Sequence, residues 1–96
     1  MKVQFVVAVD NPSNEDSGKI SNLFRDKYGW WHWINGIWLV CDSSGSLTAA
    51  KIRDDIHVAL PTARTLVIQV SPIFWTGYGP NDPKNSMFEW IRKNWE

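Results

Sequence analysis

Apolar residues recur along this chain with two different periods, and the switches between them predict an order of elements. Residues 2–10 (KVQFVVAVD) are β-branched and almost continuously apolar, the pattern of a central strand covered on both faces. Asn11-Pro12-Ser13-Asn14 ends that strand, and Glu15 and Asp16 suit a helix N-terminus. Ile20, Leu23, Phe24 and Tyr28 then follow at helical spacing, with Lys27 in the last turn and Gly29 as the expected stop. Residues 30–42 (WWHWINGIWLVCD) read as two strands around Asn35-Gly36, a strong signal for a tight hairpin turn. Ser43-Ser44-Gly45-Ser46 is a turn. Ile52, Ile56 and Leu60 line one side of a second helix that carries Lys51, Arg53, Asp54 and Asp55 on the other and closes at Pro61. Residues 66–70 (LVIQV) form a fourth strand.

Strand, helix, strand, strand, helix, strand is the split β-α-β signature of a ferredoxin-like α+β domain. The expected βαββαβ architecture is an antiparallel sheet with the first and third strands at its centre and both helices on one face. Residues 72–83 are rich in Gly and Pro and carry Phe74, Trp75 and Tyr78, which predicts an extended segment. Ser86-x-x-Glu89 matches a capping box opening a short C-terminal helix, with Phe88, Ile91 and Trp95 along one side. The whole chain, 1–96, reads as one domain, with 72–96 as a C-terminal extension.

An uninterrupted two-residue hairpin sets Ile34 opposite Ile37, Trp33 opposite Trp38 and Trp31 opposite Val40. Alternation then places Trp31, Trp33, Trp38 and Val40 on one face, and Trp30, His32, Ile34, Ile37, Leu39 and Cys41 on the other. The Ile, Leu and Cys set suits the helix-covered side. The tryptophan set falls on the open side, joined there by Val6, Ala8 and Val67, and makes a patch unusual for a soluble monomer. Three occupants compete for it: the C-terminal segment with Phe74, Trp75, Trp90 and Trp95; a second subunit; or stacked bases of a single strand. Internal cover or a homodimer is favoured, because the hairpin has no Lys or Arg interleaved for a phosphate backbone.

Composition narrows the choices further. Ten basic and ten acidic residues give a net charge of zero, without the cationic excess that drives nucleic-acid affinity. The single cysteine, Cys41, excludes an internal disulfide and a cysteine metal cage. No apolar run approaches the length of a membrane span, so the expectation is a cytoplasmic protein without a membrane partner.

Among residues with chemical potential Asp10 stands out. It ends the central strand at the edge where the first helix begins, the Asn35-Gly36 turn lies and the fourth strand starts behind Arg64. With Asn11, Ser13 and Arg64 as supporting groups, Asp10 could hold a hard cation or pair with the arginine, or it could simply stabilise its turn. One carboxylate makes a poor divalent site unless a symmetry mate adds another. Neither histidine has metal-ligand spacing, and no phosphate loop, dinucleotide fingerprint or nucleophile elbow occurs.

The AVDNPSN turn, WWHWINGIWLV, SLTAAKIRDDIHVAL, TLVIQV, FWTGYG and EWIRKNW together resemble the SinR-like family. That family is related in fold to the small subunit of the CRISPR adaptation complex and to the virulence-associated D interferases. The resemblance implies a ferredoxin-like homodimer whose sheets are joined by residues after the fourth strand. In the CRISPR-associated branch an aspartate ending the first strand is assigned to metal-dependent phosphodiester cleavage, and Asp10 holds the similar position. The arginine-rich first helix of that branch is replaced here by Lys19, Arg25 and Lys27. Two functions follow as expectations: a homodimeric interaction or nucleic-acid-associated protein without catalysis, or a Mg- or Mn-dependent RNA or DNA endonuclease using Asp10 of both subunits.

Overall fold

The computed structural model describes residues 1–71, 75–80, 82, 84 and 86–95. In chain order it contains β1 (Val3–Val9), α1 (Asn14–Phe24), β2 (Gly29–Ile34), β3 (Ile37–Asp42), α2 (Ala49–Ala59) and β4 (Thr65–Val70). A helical turn of π type follows at Ile91–Trp95. The strands form one antiparallel sheet in the order β2-β3-β1-β4, with β1 and β3 central as the ferredoxin-like pattern requires.

Local chemistry sets the helix boundaries. Ser13 caps α1: its hydroxyl accepts from the Asp16 N–H at 3.0 Å, and the Asp16 carboxylate accepts from the Ser13 N–H at 3.2 Å. The helix ends at Phe24, a turn before the expected stop, because Asp26 adopts a left-handed backbone (φ 63°) and Tyr28 leaves the helical path. Gly29 is thus a strand residue, needed because a Cβ there would lie 2.7 Å from Cys41 Sγ. Thr48 caps α2 through the Lys51 N–H, and the helix stops at Leu60, before Pro61.

Both helices lie on one face. Ile20 and Phe24 of α1 and Ile52 and Ile56 of α2 pack with Phe5, Val7, Val9, Trp38 and Val40 in the main core. Trp38 is fully buried there and donates its indole N–H to Ser21 Oγ at 3.2 Å, leaving no polar group of the ring unsatisfied. The turn from β3 to α2 is fixed by Asp42, a buried carboxylate that accepts from the Leu47 and Ser44 N–H groups and from the Ser44 hydroxyl.

The hairpin corrects the uninterrupted register. Ile34 pairs with Ile37 as expected, but Trp31 pairs with Leu39 and Trp30 with Val40. His32 and Trp33 together therefore oppose Trp38, a β-bulge of two residues against one. The His32 ring stacks on Trp38 with centroids 3.9 Å apart, and its Nε2 meets the Asn35 carbonyl oxygen at 2.9 Å. Beyond the bulge every β2 side chain is one position out of the regular phase. Trp38 and Val40, expected on the open face, belong to the helix-covered core, while Ile37 and Leu39 belong to the open side. Val67 also moves to the core, because it pairs with Val7.

Candidate functional site

Pairing across the sheet aligns the open-face side chains in rows. Ile34, Ile37, Ala8 and Leu66 form the row nearest the Asn35-Gly36 turn. Trp31, Leu39, Val6 and Ile68 form the next, and Gly29, Cys41, Gln4 and Val70 the last. The C-terminal segment folds back over the latter two. Met87, Phe88, Ile91 and Trp95 are buried against Trp31, with Val6, Leu39 and Val70 packed beside them. The Trp31 indole N–H donates to the Met87 carbonyl at 2.6 Å, and Gln4 donates its amide to the Trp95 carbonyl. Internal cover by Trp90 and Trp95 is thus realised over part of the face. Burial also pushes the Cys41 thiol above its ordinary pKa, which suits a small apolar residue better than a nucleophile.

The first row stays largely uncovered. Leu66 is 60 % exposed and Ile34 49 %, and Ile68 on the neighbouring row is 48 % exposed. Among the interface residues the sequence suggested, Trp31 lies under the C-terminal segment, Trp38 and Val40 lie in the helix-covered core, and Trp33 is 46 % exposed at the bulge. Trp75 is half-buried against the Phe88 ring, 5.7 Å between centroids. Phe74 lies outside the described residues.

Asp10 ends β1 at the rim of the uncovered row. Its N–H donates to the Arg64 carbonyl at 3.0 Å, and its side chain is exposed. Asp10 and Arg64 border two depressions: one on the open face with Ala8, Ile37 and Leu66, the other beside the start of α1 with Asp16 and Lys19. The structure brings together Asp10 and Arg64 on one rim, yet neither is in an ion pair among the described residues. Asn11 has φ 45°, a conformation asparagine tolerates in turns, and the Ser13 hydroxyl is committed to capping α1. No group of three His, Cys, Asp or Glu side chains able to hold a metal occurs among the described residues. Asp16 lies near Asp10 but its carboxylate is engaged by the Ser13 N–H, so one chain leaves a single uncommitted carboxylate at this rim, which does not fit a Mg or Mn ion.

His57 is exposed and borders a small recess with Arg53, Asp54 and Thr65. Asp42 is a structural carboxylate outside the candidate site. Burial raises its pKa, but the Leu47 N–H, the Ser44 hydroxyl and N–H and the Ser46 hydroxyl outweigh this and hold the carboxyl below its ordinary 3.8. Its signal was present in the Asp-Ser-Ser-Gly-Ser run, since aspartate in such a turn binds its own following backbone. Ile34, expected with Ile37 on the helix-covered side, lies on the open face, and the sequence carries no signal for the exposure of Leu66 and Ile68, because an all-apolar strand does not reveal which face stays open.

No helix among the described residues is long and apolar enough to cross a membrane. Comparison with known proteins finds no matching family model, curated protein or solved structure.

Proposed function

We propose that this protein is a self-associating interaction module without catalysis, and that two copies meet through β4 and the uncovered row of the open face. The observation that carries this reading is the exposure of Leu66, Ile68 and Ile34 on a face that the C-terminal segment covers elsewhere. β4 is an edge strand with no Lys, Glu or Pro in Thr65–Val70, the features that ordinarily blunt an edge. Asp10 and Arg64 on the same rim carry one charge of each sign, so a two-fold arrangement can set Asp10 of one copy against Arg64 of the other. The resemblance to SinR-like proteins points the same way, toward a homodimer.

Light scattering on the full chain tests this. The wild type is expected to run as a dimer, and Leu66→Asp, at a position 60 % exposed in the single chain, as a folded monomer. A wild type that is monomeric at concentrations of about 100 μM, roughly tenfold above a 10 μM Kd, would sink the proposal. The endonuclease reading requires Asp10 carboxylates from both copies at one cation. It stands only if the dimer shows Mg- or Mn-dependent cleavage of RNA or DNA that Asp10→Ala abolishes.

A further inference from the structure

The C-terminal segment does not lie flat on the sheet. Between it and the open face runs a cleft of about 450 Å³, within the range of small-molecule sites. Its floor is Val6, Ile37 and Leu39, and its far wall is Trp75, Phe88 and Trp95. Tyr78 borders it and is fully exposed.

Three features make this cleft a built site. Its wall is locked in place by close approach. A Cβ on Gly77 would lie 2.5 Å from the Phe88 ring, and one on Gly79 would lie 2.3 Å from Met87 Sδ. The Met87 N–H donates to the Pro80 carbonyl at 3.0 Å, so residues 77–80 are held against Met87 and Phe88. The wall is then tied to the sheet through the Trp31 indole, which reaches the Met87 carbonyl and spans the gap. The wall is thus held by its own packing and by one anchor on the sheet rather than by contact with the floor.

The third feature is chemical. None of the described lining residues carries a charge, and the polar groups at hand are the hydroxyls of Ser71, Thr76 and Tyr78. Aromatic rings border it from both sides, Trp31 from the sheet and Trp75 and Phe88 from the wall. Such a lining excludes charged ligands by desolvation and favours flat apolar rings that stack or meet edge to face.

We propose that this cleft binds a neutral, flat aromatic molecule of about two fused rings, with one hydroxyl-type polar group reaching the rim. The cleft shares Ile34 and Ile37 with the row proposed for self-association, but its aromatic wall belongs to the C-terminal segment, so ligand binding and dimerisation are read by separate measurements.

Titration of the full chain with 2-naphthol, followed by calorimetry and by the tryptophan indole N–H resonances, tests the site. The expected result is saturable binding of one molecule per chain, with the Trp31 and Trp75 indole signals moving together. Val6→Trp fills the floor and should weaken binding about tenfold or more. Tyr78→Ala alters a fully exposed side chain, so it leaves the fold intact, and should weaken binding several-fold. The anion 2-naphthalenesulfonate should bind at least about tenfold more weakly than 2-naphthol, because its charge finds no partner in the cleft. Absence of saturable binding by the wild type at about 1 mM, equal affinity for the sulfonate, or unchanged binding by both variants would each overturn the proposal.

Discussion

The two faces of the sheet bury similar residues by different means. On the helix-covered face, α1 and α2 present apolar stripes to Phe5, Val7, Trp38 and Val40, all fully buried. On the open face the cover is an irregular segment and a single π-type turn, which cover two rows and reach the third only at Ile37. A regular helix lays a continuous stripe over a sheet, whereas a Gly- and Pro-containing segment touches it at a few anchored points. The first arrangement makes a core. The second leaves both a cleft and an exposed row, the two surfaces to which the proposals above assign binding.

That contrast can be broken most directly at its tryptophans. Trp38→Ala removes a fully buried ring together with its stack on His32 and its bond to Ser21. It should cost about 3–5 kcal/mol in denaturant unfolding. Trp31→Ala removes a ring held mainly by the C-terminal segment, which can settle into the space, and should cost about 2 kcal/mol. Equal losses would erase the distinction between the faces.

A smaller effect belongs to the turn that delivers the chain into α2. Asp42→Ala deletes an acceptor for four donor groups and should cost about 2 kcal/mol at neutral pH. The folded carboxyl lies below its ordinary 3.8, so its stabilisation is complete above that value and disappears as pH falls through the folded one. The wild type should therefore lose its advantage over Asp42→Ala in acid. An advantage undiminished on acidification would show that the carboxylate's charge is not what matters.

The smallest expected effect is the most diagnostic of register. Deleting Trp33 removes the extra residue of the bulge and leaves Trp31 opposite Leu39 and Trp30 opposite Val40. Stability should change by no more than about 1 kcal/mol. In an unbulged hairpin the same deletion would move Trp30 and Trp31 to opposite faces, and a loss above about 3 kcal/mol would indicate that.

The element order, the sheet order and the shared helix face could all be read from periodicity, because period and turn chemistry act within a few residues. The Asn35-Gly36 turn also gave the Ile34–Ile37 pair correctly. The register beyond it could not be read, since the bulge is settled by His32 stacking on Trp38, a contact between side chains on different strands. The bulge decides which faces Trp30 and Trp31 occupy, while Trp38 and Val40 follow their β1 partners Val7 and Phe5 into the core. Asp10 was placed at the right edge beside Arg64. Whether those two charges meet a partner depends on a second molecule, which the periodicity of one chain does not encode.

The bulge has a further consequence for assembly. A sheet with two open edges can add neighbours without limit, whereas a sheet with one can add only one. In this protein β2 is an edge strand kinked at His32 and Trp33, and β4 is the straight, uncharged edge at the other end of the sheet. Its pairing valence is therefore one. In the proposed dimer, association through β4 would close at two copies, and the bulge at His32 and Trp33 would keep the sheet from growing into a fibre at its other edge.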